Sequence, residues 1–128
     1  MSWATFINFG LFSSAKQTSL IFTGDIMFGR SVMTKSLKLK NPNYPFMNVA
    51  DVLRNVDIVF SNLESPIVDN CSYVDSGLKF CADPKMIEGL KYAGVDIVSL
   101  ANNHILNYGK EDLLKTYMDK FAQPKWVN

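Results

Sequence analysis

This chain has few residues of the types that build zinc sites, disulfide frameworks or nucleic-acid surfaces. Its 128 residues include one histidine and two cysteines, and 13 Lys and Arg residues stand against 12 Asp and Glu residues. The resulting charge of +1 gives no broad attraction to nucleic acid, so we predict no nucleic-acid partner. Cys71 and Cys81 match no zinc motif. They are two free thiols or, if the protein is exported, a disulfide across the loop between them.

Glycine-rich and nucleophile motifs are missing as well. The sequence contains no GxGxxG and no GxxxxGK(S/T) segment, which argues against the common modes of nucleotide binding. It also lacks the GxSxG turn that carries the nucleophile of many serine hydrolases. The chemistry of this chain therefore has to come from other residue types.

Residues 1–18 are apolar in the middle but are interrupted by Asn8 and Gly10. This stretch is too short and too broken to span a membrane, and it lacks the basic start of a standard signal peptide. Two interpretations stay open: a remnant of a signal or membrane anchor, and an apolar extension that packs on the domain formed by residues 19–128. Membrane association is therefore left open.

Strand-like and helix-like segments alternate along residues 19–128. Short apolar runs that end in turn residues predict buried strands, and apolar residues spaced along one helix face predict helices. The predicted strands are 19–25, 57–64, 78–82 and 95–101, and the predicted helices are 30–40, 46–55, 83–93 and 110–123. This alternation predicts an α/β fold with a mainly parallel sheet.

The tetrapeptide Val-Asp-Ile-Val occurs at 56–59 and again at 95–98. Each copy follows an amphipathic helix and leads into a polar cluster, so we interpret the repeat as two copies of one helix–turn–strand pattern. Ligands of parallel α/β sheets bind outside the carboxyl ends of the strands. Polar residues that follow the predicted strands should therefore converge on one rim of the sheet.

Six polar side chains follow the predicted strands and form the candidate site: Asp25, Asn62, Glu64, Asn102, Asn103 and His104. Carboxylates, amide oxygens and an imidazole suit Mn, Mg, Fe or Zn better than a soft thiolate site would. Two neighbouring carboxylates also repel each other unless a cation lies between them. The alternative for each single residue is a turn or cap role, which Asp and Asn often take.

Three segments, in this order, resemble the CapA family of poly-γ-glutamate capsule biosynthesis proteins: GDIMFGR at 24–30, FSNLESPI at 60–67 and DIVSLANNHILNYG at 96–109. The similarity extends from about residue 19 to about residue 121. That family belongs to the calcineurin-like metallophosphoesterase superfamily. The resemblance therefore implies part of a layered α/β sandwich, a metal site at the strand ends, and a role in capsule or poly-γ-glutamate synthesis.

The resemblance also implies metal ligands. Asp25 corresponds to the first carboxylate ligand, and Asn62 and Glu64 stand at the second metal motif, with Glu64 preferred. Asn103 corresponds to the ligand of the family's Asn-His pair. The expected cofactor is a divalent metal, Mn, Mg, Fe or Zn, in a site that is incomplete.

His104 and Arg30 are the predicted catalytic residues. His104 resembles the family's phosphate contact or general acid. Arg30 ends the first motif and either meets an anionic group of the substrate or forms a surface ion pair at a helix start. The family has Asp-Tyr-Gly where this chain has Asn-Tyr-Gly at 107–109, which removes a charge that would orient His104.

The family continues well past the length of this chain with further His-containing motifs, so we expect the N-terminal part of a CapA-type domain with little phosphoesterase turnover. Two functions are compatible with the sequence: a metal-dependent phosphoesterase-like hydrolase, and a non-catalytic component that binds an envelope polymer. The expected partners are an anionic polymer or a phosphate-containing small molecule, and other capsule-synthesis proteins. The expected location is the cell envelope or extracytoplasmic space, with a cytoplasmic one also compatible.

Overall fold

The computed structural model describes residues 16–72 and 76–116. The strands and helices in chain order are β1 (Leu20–Ile26), α1 (Arg30–Lys38), α2 (Ala50–Leu53), β2 (Ile58–Leu63), α3 (Ile87–Ala93), β3 (Ile97–Ser99) and α4 (Lys110–Lys115). Two 3₁₀ turns, Tyr44–Phe46 and Pro84–Met86, precede α2 and α3. Among the described residues, no helix is long and apolar enough to cross a membrane.

The three strands form one parallel sheet in the order β1-β2-β3, which confirms the predicted α/β fold with a mainly parallel sheet. Phe60 in the central strand pairs with Phe22 on one side and with Ile97 on the other. The register of β1 then shifts between Phe22 and Asp25, so that Asp25 pairs with Asn62. An extra residue in one strand re-aims the side chains that follow it. This bulge therefore brings Asp25 beside the polar end of β2.

The repeated Val-Asp-Ile-Val segments tie neighbouring strands together. Asp57 of the first copy accepts hydrogen bonds from the backbone N–H and the hydroxyl of Ser19, at 2.8 and 2.7 Å. These bonds, the backbone one first, lower the pKa of Asp57 from its ordinary value. Asp96 of the second copy accepts a hydrogen bond from the Val59 backbone N–H at 2.8 Å. Each Asp thus holds the neighbouring strand near its amino end.

The core lies on one face of the sheet, between the strands and the helices. Val59 and Leu63 of β2 are fully buried there. Met33 of α1 and Leu90 of α3 belong to the same buried cluster. Burial of side chains of this size stabilises a fold by roughly 1.5–3 kcal/mol each, so this single layer supplies much of the favourable free energy.

The opposite face of the sheet is exposed in the described part of the chain. Leu20, Phe22 and Ile97 are 52%, 72% and 47% exposed. The prediction of fully buried strands is therefore wrong for β1 and β3, and β3 is also shorter than the predicted 95–101. The physical reason is position, since β1 and β3 are the outer strands and the buried cluster covers one face only.

The helices follow the sequence with one exception. α1 begins at Arg30 as predicted, and Gly94 ends α3 in a left-handed conformation with φ of 74°. The predicted helix 46–55 is wrong in its length, because a proline near the start of the 3₁₀ turn favours a tight turn and the α-helical part is only α2. The predicted helix 110–123 begins at Lys110, and its part from residue 117 lies outside the described residues.

The loop between β2 and α3 is closed by a covalent link. Cys71 and Cys81, left open by the sequence as thiols or a disulfide, form a disulfide with Cα atoms 5.9 Å apart. The predicted strand 78–82 is wrong, because this segment reaches the sheet region at a single bridge between Ile67 and Ala82. The loop is therefore held at its base, next to the polar end of β2.

Candidate metal and anion site

The predicted rim residues come from the ends of all three strands. Asp25 follows the bulge in β1, Glu64 follows β2, and His104 lies in the turn after β3. Because the strands are parallel and adjacent, their carboxyl ends meet at one edge of the sheet. The structure brings the side chains of Asp25, Asn62, Glu64 and His104 together at that edge.

The amide group of Asn62 joins the two carboxylates. Its Nδ2 donates to Asp25 Oδ1 at 2.8 Å and to Glu64 Oε2 at 2.6 Å. Asp25 is exposed, whereas the Glu64 side chain is only 13% exposed. Two negative groups thus share one neutral donor, and like charges this close favour a positive partner.

Asn102 fixes the orientation of Asn62. Its Oδ1 accepts hydrogen bonds from the backbone N–H groups of His104 and Ile105, both at 3.0 Å. Its Nδ2 then donates to the Leu63 carbonyl at 2.9 Å and to Asn62 Oδ1 at 3.1 Å. Since the side-chain oxygen of Asn62 is used in this way, its NH₂ group must face the carboxylates.

His104 lies between Glu64 and Asn107. Its Nε2 is 3.7 Å from Glu64 Oε1, and its Nδ1 is 3.1 Å from Asn107 Oδ1. The same Asn107 oxygen accepts a hydrogen bond from the Phe80 backbone N–H at 2.9 Å. A backbone N–H only donates, which identifies the Asn107 atom as the oxygen and requires a proton on Nδ1 of His104. Nε2 is left facing Glu64.

Phe80 lies beside His104, and Arg30 lies beside Phe80. The Phe80 ring centroid is 4.2 Å from the imidazole centroid, and the guanidinium carbon of Arg30 lies 4.8 Å from the Phe80 centroid. Arg30 also donates from Nη2 to the Gly77 carbonyl, while its Nε is buried without a hydrogen-bond partner among the described residues. Its φ of 57° is uncommon for a residue other than glycine. Arg30 is thus anchored to the loop that precedes α3.

Asn103 lies outside this network. Its side chain is exposed in the bend after β3, and no hydrogen bond between described residues joins it to the carboxylates. Its neighbour Asn102, predicted only as one of the six rim residues, takes the central position instead. Phe80 was not among the predicted site residues, because a single aromatic residue in a loop carries no sequence signal of a functional role.

The residues offer a metal two carboxylates rather than a complete cage. Among residues 16–72 and 76–116, no group of three or more His, Cys, Asp or Glu side chains is positioned to hold a metal ion. Asp25 and Glu64 supply hard oxygen ligands of the kind that divalent cations prefer, and both direct an oxygen at one amide nitrogen. His104 adds an imidazole nitrogen 3.7 Å from Glu64.

Fold and site together define a parallel α/β domain with its polar residues gathered at the carboxyl ends of the strands. Residues 19–122 match the model of the family described as bacterial capsule synthesis protein PGA_cap. This match covers most of the chain, so the protein belongs to the bacterial capsule synthesis protein PGA_cap family. The resemblance to CapA proteins stated from the three motifs is confirmed.

Individual relatives support the same assignment. Capsule biosynthesis protein CapA of Bacillus anthracis is 29% identical over 111 residues, which cover 81% of this chain and 27% of that protein. PGA biosynthesis protein CapA of Bacillus subtilis (strain 168) is 30% identical over 107 residues, 82% of this chain and 28% of that protein. An uncharacterized protein of Sinorhizobium fredii, y4sH, is 29% identical over 105 residues, 77% and 21% of the two chains. The chain therefore spans about a quarter of the length of these relatives.

Proposed function

We propose that this capsule synthesis family member carries a metallophosphoesterase-type site at the rim of its sheet. The observation that carries the proposal is the sharing of one Asn62 nitrogen by Asp25 and Glu64, at 2.8 and 2.6 Å. A divalent cation held by these carboxylates would neutralise both, which a neutral amide cannot do. The proposed ion is Mn²⁺, Mg²⁺, Fe²⁺ or Zn²⁺. To serve as further ligands, Asn62 would have to turn its amide oxygen away from Asn102, and Asn103 would have to turn in from its exposed position.

His104 is proposed to move the proton. Its Nδ1 is held by Asn107, which orients the ring. Its Nε2 faces Glu64 and is the nitrogen directed at the proposed site. When the ring carries a proton on both nitrogens, Nε2 would give a proton to a leaving oxygen or a hydrogen bond to a phosphate-like oxygen. A bound divalent cation would supply an activated water and stabilise charge on the phosphoryl oxygens.

Arg30 is proposed to meet the anionic group of the ligand. Its guanidinium is held against Phe80, the residue whose ring also packs against His104. Guanidinium groups match the planar geometry of carboxylate and phosphate oxygens. The proposed ligands are therefore a phosphate-containing small molecule or an anionic polymer, and other capsule-synthesis proteins are proposed as partners.

The limited ligand set favours a second function. Catalytic zinc ions have about three protein ligands each, whereas Asp25 and Glu64 are the two carboxylates that share the Asn62 amide in the described part of the chain. The alternative proposal is a non-catalytic role, in which the rim binds an anionic envelope polymer or an assembly partner without turning it over.

We also propose an envelope or extracytoplasmic location. Disulfides persist mainly in oxidising compartments and are rare in the cytosol. Cys71 and Cys81 are both buried, and the disulfide between them supports this proposal.

Hydrolysis of an aryl phosphate with added Mn²⁺ tests the enzymatic proposal. Turnover, which we expect to be low for this chain, should depend on Mn²⁺ and fall by about 10²–10⁴-fold in His104→Ala, the usual contribution of a general acid. Leu106→Ala is the matched control, because Leu106 is 52% exposed in the same turn. Turnover that is equal in His104→Ala and wild type would contradict the role of His104.

The binding alternative has its own measurement. If no variant turns over the substrate, calorimetry with inorganic phosphate in the presence of Mn²⁺ should still show binding to the wild type and weaker binding to Arg30→Ala. Absence of both turnover and phosphate binding would contradict the two functions together.

A further inference from the structure

Phe80 contacts His104 through its ring and through its backbone. The ring centroids of Phe80 and His104 are 4.2 Å apart, at a tilted interplanar angle of 42°. The Phe80 backbone N–H donates to Asn107 Oδ1 at 2.9 Å, and the same oxygen lies 3.1 Å from His104 Nδ1. One residue of the loop before α3 thus controls both the face and one edge of the imidazole.

The Cys71–Cys81 disulfide holds the residue next to Phe80. Both cysteines are buried, with exposed fractions of 6% and 3%. Beyond the disulfide, Ala82 forms the single bridge to Ile67 and so fixes the loop on the side toward α3. The backbone next to Phe80 is therefore covalently tied to Cys71.

Arg30 contacts both Phe80 and the segment before it. The guanidinium carbon of Arg30 is 4.8 Å from the ring centroid, and Arg30 donates a hydrogen bond to the Gly77 carbonyl three residues before Phe80. Leu78, between these two points, is 77% exposed and makes no contribution to the core. The ring of Phe80 is thus the part of this segment that faces the site.

We propose that Phe80 is a positioning residue for His104 and that the Cys71–Cys81 disulfide keeps Phe80 in place. The imidazole is then held with Nδ1–H toward Asn107 and Nε2 toward Glu64. This inference goes beyond the proposed metal site, because it concerns the orientation of the imidazole in metal-free protein. It therefore stands or fails independently of metal binding and turnover.

Reduction of the disulfide should release this arrangement. A dithiol gives two electrons and two protons to the Cys71–Cys81 bond, which becomes two thiols, and the dithiol is itself oxidised to a disulfide. His104 does not react in this step. The change it undergoes is the loss of the neighbouring Phe80 ring and of the Phe80 N–H that orients Asn107.

The test uses the fact that the chain contains one histidine. Long-range ¹H–¹⁵N NMR spectra of the full chain, without metal and at a pH where the imidazole is neutral, report which ring nitrogen carries the proton. The wild type should show Nδ1–H as the dominant tautomer. Phe80→Leu keeps the backbone N–H but removes the ring that packs on the imidazole, and both this variant and dithiol-reduced wild type should lose this dominance.

Two control variants separate positioning from general loosening of the loop. Phe80→Tyr keeps the ring and should keep the wild-type tautomer, and Leu78→Ala removes an exposed side chain from the same segment and should also keep it. Circular dichroism shows whether Phe80→Leu folds. If it does not, the tautomer of wild type is compared before reduction, after reduction and after reoxidation, and this comparison tests the proposal. The proposal is overturned if Nδ1–H stays dominant in Phe80→Leu or in reduced protein, or if Leu78→Ala shifts the tautomer equally.

Discussion

The side-chain nitrogen of Asn102 lies 3.1 Å from the side-chain oxygen of Asn62, which joins the turn after β3 to the central strand. This contact sets the direction of the Asn62 NH₂ group, which is the donor that Asp25 and Glu64 share. Asn102 thus orients the other residues of the rim through its hydrogen bonds. Its removal should disturb stability and the carboxylate pair together.

Asn102→Ala should lower the free energy of unfolding. The backbone N–H groups of His104 and Ile105 would lose their acceptor, and unpaired groups of this kind cost about 1–3 kcal/mol when they are shielded from water. Urea denaturation followed by circular dichroism measures the difference. Asn103→Ala, at the exposed neighbouring position, should stay within about 0.5 kcal/mol of wild type. Equal losses in the two variants would contradict the role given to Asn102.

Removing the disulfide should cost more than removing any single hydrogen bond. Cys71 and Cys81 are 10 residues apart, and closing a loop of this size lowers the entropy of the unfolded chain by an amount worth about 3 kcal/mol. The double variant Cys71→Ser with Cys81→Ser should therefore unfold at lower urea concentration. Reduced wild type should unfold at the same urea concentration as the double variant. If oxidised wild type also unfolds at that concentration, the disulfide adds no stability.

Stability should depend on the Asp57 carboxylate in the acid range. Hydrogen bonds from Ser19 lower its pKa in the folded protein from the ordinary 3.8, so the carboxylate stabilises the fold above that value. The contribution is lost as pH falls through the lower, folded-state pKa. The gap in unfolding free energy between wild type and Asp57→Asn should be full at about pH 7 and shrink below about pH 4. A gap that stays constant down to about pH 2 would contradict this account.

The exposed sheet face should promote self-association. Phe22 is 72% exposed on β1, an outer strand of the described sheet, and apolar outer strands are templates for pairing with other chains. Phe22→Lys should reduce concentration-dependent light scattering while changing stability by no more than about 0.5 kcal/mol. Leu78→Lys, at a position 77% exposed but outside the sheet, is the matched control and should scatter as wild type does. Identical scattering by Phe22→Lys and wild type would contradict this prediction.

The sequence predicted the site as far as strand order determines it. Asp25, Glu64 and His104 each follow a parallel strand, so the rule that such strands end at one edge was enough to bring them together. The choice between Asn102 and Asn103 was beyond this rule, because it depends on the turn geometry that aims Asn102 at two backbone N–H groups.

Two other features depend on long-range contacts that periodicity does not encode. Phe80 bonds to Asn107 across 27 residues, and this contact follows from the path of the loop rather than from a local pattern. The exposure of β1 follows from its place at the side of the sheet, whereas its apolar sequence alone suggested burial on both faces. The predicted parallel order was right because helices separate the strands along the chain.

Calorimetric titration with Mn²⁺ tests the central claim most directly. Wild type is compared with Asp25→Asn, Glu64→Gln and the matched control Glu88→Gln, which also removes one negative charge but from an exposed surface pair with Lys91. The proposed site predicts equal binding by wild type and Glu88→Gln, and binding weaker by at least about tenfold, or about 1.4 kcal/mol, in the two rim variants. Equal Mn²⁺ affinity in all four proteins, or no binding by wild type, would contradict a metal site at this rim.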